Sequence, residues 1–182
     1  NNSAGAGIFN NGGTVTILRS IIRDNRVEGT QIGGGILSVQ PGSLTSGESS
    51  IVNNHADAAG GGIATTTVDT IYNSTISGNS SNGTANPWYG GGLYIGSSGN
   101  VAISYSTVAA NTANWGGGIG GHGTASLVGS IVADNTATDS GHDLFTAGGS
   151  YTSGGYNVIG RLDAGLVPAT GDQAGSNATP LD

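Results

Sequence analysis

The sequence predicts an all-β fold: a single-stranded, right-handed parallel β-helix of about six coils of roughly 27 residues, followed by an extended C-terminal tail. Three observations carry this prediction. The composition is rich in glycine and poor in helix formers, two landmarks recur at a nearly constant period, and apolar side chains alternate with a period of two between them. We place the β-helix in residues 1–160 and the tail, which contains proline and glycine, in residues 161–182.

The composition excludes most other classes of protein. Of the 182 residues, 36 are glycine, none is cysteine and only 8% are charged. Glycine costs about 1 kcal/mol per helical position relative to alanine, which disfavours long helices. A chain without cysteine cannot form a disulfide or thiolate-metal scaffold, and no run of about 20 apolar residues is present to span a membrane. Aliphatic residues at regular intervals also argue against a disordered chain.

The charge balance indicates which partners are excluded. The formal net charge is −7, and the four basic residues are all arginine. A phosphate backbone is repelled by such a surface, so we expect no nucleic-acid partner. The lysine-free surface, rich in threonine, asparagine and glycine, favours an extracellular or cell-surface protein.

The first landmark is a triplet of small residues followed by an aliphatic residue. Successive triplets start 28, 27, 30 and 26 residues apart, and a weaker sixth copy follows after 25. We expect these glycines to form a sharp corner, because glycine adopts a positive φ without steric cost. The copies are Gly5–Ile8, Gly33–Ile36, Gly60–Ile63, Gly90–Leu93, Gly116–Ile119 and Gly141–Leu144.

The second landmark reads Ser-x-aliphatic-x-x-Asn and ends 16 to 18 residues after the aliphatic residue of the first. We expect its asparagines to stack as a side-chain amide ladder at a turn, each donating to the next, and to adopt a left-handed backbone themselves. The ladder residues are Asn25, Asn54, Asn79, Asn111 and Asn135.

Between the landmarks the sequence has strand periodicity. Val15 and Ile17 alternate with polar residues, as do Val101 and Ile103, so each repeat holds two or three short strands. One such unit cannot bury its apolar face, whereas stacked copies about 4.8 Å apart can. The predicted inward columns are Ile8, Ile36, Ile63, Leu93, Ile119, Leu144 and Ile22, Ile51, Ile76, Val108, Val132. Ser46 and Asp69 interrupt the apolar pattern, which predicts a bulge or shift in the second and third coils.

Several runs of the sequence resemble the right-handed β-helix repeats of large bacterial surface and secreted proteins. These are the polymorphic outer-membrane-protein-like and choice-of-anchor groups, distantly related in fold to pectate lyases. The resemblance spans nearly the whole chain and implies a scaffold at the bacterial surface, and no catalytic motif is carried over. The runs are Asn73–Asn79, Gly116–Ile119, Ser130–Ala137 and Gly155–Gly160.

One pair of acids stands out as a candidate catalytic site. Glu28 and Asp57 each lie three residues after a ladder asparagine in adjacent coils, and Arg26 and His55 lie one residue after it. Such a quartet is consistent with a general acid and base about 5 to 10 Å apart, or with an oxygen-rich calcium site. The alternative is a solvated cluster of salt bridges worth about 0–1 kcal/mol each, and the sequence favours this second interpretation.

Two further groups have side chains that can bind a ligand. Tyr89 and Trp115 precede glycine triplets in adjacent coils, with Trp88 beside them, and could stack against a sugar or another protein chain. Asp139, His142 and Asp143 are weak candidates for a metal site, with an imperfect turn as the alternative. We assign no metal and no cofactor, and calcium is the one ion considered.

The sequence therefore predicts a non-catalytic extracellular structural or adhesive module. Its partners are another copy stacked end to end into a filament, neighbouring coils of a longer chain, or a carbohydrate. The alternative is a polysaccharide-active enzyme, a lyase or glycoside hydrolase, that uses Glu28 and Asp57. Ice binding requires an unbroken flat threonine column, and Ala102 and Ser126 interrupt the row formed by Thr16, Thr45 and Thr70.

Overall fold

The computed structural model describes residues 5–82, 89–162 and 165–181, and none of these residues is helical. Their strands form four parallel sheets, A to D, in which each strand pairs with its counterparts in the coils before and after it. This is a parallel β-solenoid of about six coils, as the sequence predicts, and it is consistent with right-handed winding, the rule for parallel crossovers. Each of the first five coils contributes four short strands rather than two or three.

The strands are short because a corner interrupts the chain every few residues. Sheet A contains β1 (Ile8–Asn11), β5 (Ile36–Val39), β9 (Ile63–Thr65), β13 (Leu93–Ile95), β17 (Ile119–Gly121) and β21 (Leu144–Thr146). Sheet B contains β2 (Thr14–Leu18), β6 (Ser43–Gly47), β10 (Val68–Tyr72), β14 (Asn100–Ser104), β18 (Thr124–Val128), β22 (Ser150–Ser153) and β24 (Leu166–Val167). Sheet C contains β3 (Ile21–Arg23), β7 (Ser50–Val52), β11 (Thr75–Ser77), β15 (Thr107–Ala109), β19 (Ile131–Ala133), β23 (Val158–Ile159) and β25 (Gln173–Ala174). Sheet D contains β4 (Arg26–Val27), β8 (His55–Ala56), β12 (Ser80–Ser81), β16 (Thr112–Trp115) and β20 (Thr136–Ser140).

The register confirms both aliphatic columns. The column that starts at Ile8 pairs residue by residue through sheet A to Leu144, and the column that starts at Ile22 continues through sheet C to Val132 and then Ile159. From the second coil onward these side chains are completely buried or nearly so. They form one continuous core along the solenoid axis.

The expected bulge at Ser46 and Asp69 is absent. Within sheet B, β6 and β10 pair with their neighbours without a register shift, so both polar side chains point into the core. Their relative exposures are 0% and 3%. Asp69 needs no shift because an amide and two hydroxyl groups donate to its buried carboxylate. Ser46 is small enough to lie between Ile17 and Ile71, although its Oγ has no hydrogen-bond partner among the described residues. The same registers align Thr16, Thr45 and Thr70 with Ala102 and Ser126, as the sequence predicts.

Only the first glycine of each triplet has a positive φ, between 65° and 75° in all six copies. The second and third positions require glycine for a different reason. A Cβ on Gly91 would lie 2.6 Å from the carbonyl oxygen of Gly117 in the next coil, and a Cβ on Gly92 would lie 2.9 Å from Nδ2 of Asn111. The triplet is therefore the place where the corner of each coil packs directly against the asparagine ladder.

The segment after Arg161 does not run along the outside of the helix. Instead, β24 pairs with β22 and β25 pairs with β23, which adds one strand to sheet B and one to sheet C. The amide of Leu181 also donates to the carbonyl of Gly160 at 2.9 Å. The segment thus covers part of the last coil, and the domain boundary at residue 160 stays a prediction. Among the residues described, no helix long and apolar enough to cross a membrane is present.

Candidate functional site

The asparagine ladder forms as the sequence predicts. In each step, the backbone amide and Nδ2 of one asparagine both donate to Oδ1 of the next, at 2.9 to 3.1 Å. The left-handed backbone lies one residue earlier than expected, for example at Asn53 (φ 56°) and Ala110 (φ 55°). The left-handed residue turns the chain so that the asparagine side chain points inward, where its amide can reach the adjacent coil.

Asp143 ends this ladder. It occupies the third position of the last triplet, where the other copies have glycine, and its Oδ1 accepts from the backbone amide of Asn135 at 3.1 Å and from Nδ2 at 2.8 Å. Its Oδ2 accepts from the amide of Arg161 at 2.6 Å. Asp143 is only 1% exposed, and burial raises its pKa against the opposing effect of these hydrogen bonds.

A second ladder, which the sequence analysis did not assign, uses the serine of the second landmark. The amide of each serine donates to Oγ of the next at 3.1 to 3.2 Å, from Ser20 through Ser49, Ser74 and Ser106 to Ser130. Asn157 replaces serine in the next coil, and its amide donates to Oδ1 of Asp172 at 2.8 Å. The constant spacing of these serines is the sequence signal that could have predicted the second ladder, because an inward hydroxyl next to an amide of the adjacent coil is a natural acceptor.

The candidate acid pair does come together. Arg26 binds both carboxylates, with Nε 3.1 Å from Oε1 of Glu28 and a terminal nitrogen 3.3 Å from Oδ1 of Asp57. His55 Nε2 lies 2.9 Å from the same Asp57 oxygen, and its Nδ1 lies 2.8 Å from Oγ of Ser80. The quartet sits on sheet D, where Arg26 and His55 are register partners.

The electrostatics of this quartet favour ion pairing over acid catalysis. The backbone amide of Gly29, which donates to Asp57 at 2.7 Å, lowers the pKa of Asp57, and the hydrogen bond from His55 lowers it further. The Glu28 side chain is 74% exposed and contacts the Arg26 guanidinium. A general acid near neutral pH needs a raised pKa, usually through burial. This cluster lacks that environment.

The three weak metal candidates are not gathered into one group. Asp139 is exposed on β20, whereas the Asp143 carboxylate is buried and already accepts from three N–H groups. Nδ1 of His142 accepts from the amide of Ala137 at 3.1 Å. In the described part of the chain, no three histidine, aspartate or glutamate side chains form a group able to hold a metal ion.

Tyr89 and Trp115 are adjacent, with ring centroids 6.1 Å apart, but Tyr89 is not an open platform. Its ring is stacked on Tyr94 at 6.3 Å and on Phe145 at 5.4 Å, and it is only 7% exposed. Tyr94, Gly120 and Phe145 are register partners in successive strands of sheet A, and the Tyr89 ring fills the space above Gly120. His122 packs edge-on against the same ring at 5.2 Å. Trp88 lies outside the described residues.

A buried polar chain crosses the first three coils. It runs from Asn10 through Ser38, Thr67 and Thr65 to Asp69, with successive separations of 3.1, 3.0, 3.0 and 2.5 Å. Asp69 also accepts from the amide of Leu44 at 2.8 Å and from the hydroxyl of Thr67. Burial raises the pKa of Asp69 against these hydrogen bonds. All five side chains of this polar chain are buried, so we interpret it as structural.

Comparison with protein-family models, with curated proteins and with solved structures finds no match to this chain. The architecture and the local geometry are therefore the grounds for any functional conclusion.

Proposed function

We propose that this protein is a non-catalytic structural or adhesive module that acts outside the cell or at the bacterial surface. The observation that supports this most is the pair of side-chain ladders, which bond every coil to the next through buried polar groups. Such ladders add specific hydrogen bonds to the backbone pairing and stiffen the solenoid along its axis. A rigid rod suits a spacer or an adhesive surface.

The enzyme alternative is weaker because the two candidate carboxylates share one cation. Glu28 and Asp57 both contact Arg26, and the pKa of Asp57 is lowered rather than raised. In a glycosidase one carboxyl must stay protonated to donate to the leaving group, while the other acts as base or nucleophile. The surroundings of Asp57 favour its ionised form.

End-to-end association, or continuation into neighbouring coils of a longer chain, belongs to the same proposal. On one side, β1 to β4 are the outermost described strands, and their edges carry backbone groups that another coil can pair with. On the other side, Asp143 ends the asparagine ladder with a carboxylate, which lacks the side-chain N–H that each asparagine donates. Asp172 ends the serine ladder, and its backbone amide donates to Ala169 within its own turn. This asymmetry favours an added coil at the β1 side over an endless head-to-tail filament.

The test of the non-catalytic proposal is an activity assay with matched variants. Wild type, Glu28→Gln and Asp57→Asn are incubated with neutral and acidic glycans, with and without calcium, and new reducing ends and unsaturated products are measured. We expect no product above the protein-free blank for any of the three. Turnover by wild type that is lost in both variants would establish the enzyme alternative instead.

A further inference from the structure

Three tyrosines line the corner between sheets B and C, and each ring lies on a glycine of a neighbouring coil. Tyr72 ends β10 and covers Gly47, Tyr105 follows β14 and covers Gly129, and Tyr156 precedes β23 and covers Gly171. A Cβ on Gly129 would lie 2.8 Å from Cδ1 and Cε1 of Tyr105, and one on Gly171 would lie 2.5 Å from Cδ1 of Tyr156. Because glycine has no side chain, each ring can lie directly against the backbone of the neighbouring coil, and we call this position the seat of the ring.

The seats hold the rings against the backbone and leave their outer faces open. Tyr105 and Tyr156 are 68% and 70% exposed, although each has a face in contact with a glycine. Both have a positive φ, 49° and 60°, which places them at equivalent corner positions. An aromatic ring that already lies against the backbone of a neighbouring coil loses little conformational entropy when a ligand covers its free face.

The spacing of the rings suits an elongated ligand along the solenoid axis. Tyr105 and Tyr156 belong to the same corner two coils apart, since the amide of Tyr105 donates to Val128 and that of Gly129 donates to Gly155. Two coils correspond to about 9.6 Å at the strand spacing. This is close to the length of a disaccharide unit in an extended pyranose chain. Tyr72 continues the line towards the first coils.

One charged side chain lies close to these two rings: Asp172 follows Gly171, and its carboxylate is occupied by hydrogen bonds from Ser153, Asn157 and Ala169. The outward-facing residues of β14, β15, β18 and β19 are asparagine, serine, threonine, alanine, valine or isoleucine. Within the corner column itself, Arg19 and Glu48 of the first two coils are charged, and they pair with each other at 4.0 Å. With a net charge of −7, the molecule repels polyanions. Two rings are also too small for a stable protein interface, which needs about 1,200 Å² or more.

We propose that this tyrosine strip, formed by Tyr105 and Tyr156 and extended by Tyr72, binds a neutral polysaccharide chain that lies along the solenoid axis. Sugar rings have a face of C–H groups that packs on an aromatic ring, and the neighbouring serine and threonine hydroxyls can hydrogen-bond the sugar edges. This inference rests on the proposed adhesive role and names its ligand class.

The experiment is affinity gel electrophoresis with neutral polysaccharides in the gel, namely hydroxyethylcellulose, mixed-linkage β-glucan and glucomannan, and with polygalacturonate as the anionic probe. We expect at least one neutral polymer to retard the wild type. Substituting both residues, Tyr105→Ala with Tyr156→Ala, should weaken binding at least about tenfold, the scale of losing two stacking contacts. Changing both to phenylalanine should leave binding within about threefold, because the ring remains.

A matched control is Phe9→Ala, which removes an aromatic residue that is 50% exposed on sheet A and should not change retardation. The proposal is overturned if no neutral polymer retards the protein, if the double alanine variant binds as well as wild type, or if polygalacturonate is preferred. These binding outcomes do not depend on the result of the activity assay. A wild type that binds and also cleaves a glycan removes the non-catalytic proposal and leaves the tyrosine strip standing.

Discussion

At the scale of single residues, two aspartates occupy positions that the repeat pattern assigns to other residue types. Asp69 stands in an inward column between Leu44 and Val101, and Asp143 stands where other coils have glycine. Both are buried and both accept several hydrogen bonds. An ionised carboxylate can remain in a low-dielectric interior only when donors surround it, and the two sites supply amide and hydroxyl donors.

Asp69 gives a prediction about pH. Its pKa in the folded protein is raised above the unfolded value of about 3.9, so its contribution to stability is fully present below that value and is lost as pH rises through the folded pKa. Asp69→Asn does not titrate. We therefore expect the free energy of unfolding of wild type, relative to Asp69→Asn, to increase as pH falls from 7 towards about 4. Urea denaturation of both proteins across this pH range measures the difference. The contributions of the other carboxylates cancel, because both proteins contain them. A difference that stays flat or falls with acid contradicts the prediction.

At the scale of elements, the two landmarks are two halves of one corner contact. The third glycine of each triplet packs on the ladder asparagine of the same coil, as Gly62 does on Asn79 and Gly92 does on Asn111. The second glycine packs on one carbonyl oxygen of its own coil and one of the next, as Gly91 does on Thr112 and Gly117, so in the second to fifth coils both positions are glycine. This contact explains why the distance between the landmarks varies so little along the chain. The first triplet, at the edge of the solenoid, has the exposed Ala6 at its second position.

The corner contact predicts that Gly91→Ala destabilises the protein by at least about 2 kcal/mol. The added Cβ would meet the carbonyl oxygens of Thr112 and Gly117, and forced overpacking costs about 1–3 kcal/mol even in apolar cores. The matched control is Ala6→Gly, the reverse change at the equivalent position of the first coil, which should cost no more than about 1 kcal/mol. Guanidinium denaturation of the three proteins provides the comparison. Equal midpoints for Gly91→Ala and wild type would show that the corner has room.

At the scale of the whole molecule, the two ladders share an end. Asp143 closes the asparagine ladder and Asp172 closes the serine ladder, and both do so with residues that tie the C-terminal segment to the last coil. The pKa of Asp172 is lowered, since hydrogen bonds from Ser153, Ala169 and Asn157 outweigh the opposing effect of burial. At this end of the solenoid the ladder hydrogen bonds are therefore accepted by two carboxylates, whereas those of the earlier coils are accepted by side chains of the coil that follows.

Replacing both carboxylates, Asp143→Ala with Asp172→Ala, should loosen this end locally. Each carboxylate accepts at least three hydrogen bonds, and bonds to charged groups are worth about 1.5–3 kcal/mol. We expect amide hydrogen exchange in β19, β20 and β23 to rise at least about tenfold, while β7 and β11 stay protected. Asp139→Ala, an exposed aspartate on β20, is the control and should change neither region. A uniform rise along the whole solenoid would contradict a local capping role.

The sequence by itself determined the solenoid, its coil length, both aliphatic columns and the asparagine ladder, because stacked coils place equivalent residues above one another and a strict repeat then records their contacts. Only the tertiary structure decided what lies between coils and at their ends. It showed that Ser46 and Asp69 point inward without a bulge, that Asp143 closes a ladder, that Tyr89 is covered by Tyr94 and Phe145, and that three tyrosines sit on glycines. These features depend on contacts between different coils or on residues that break the repeat, and a periodic pattern does not predict its own exceptions.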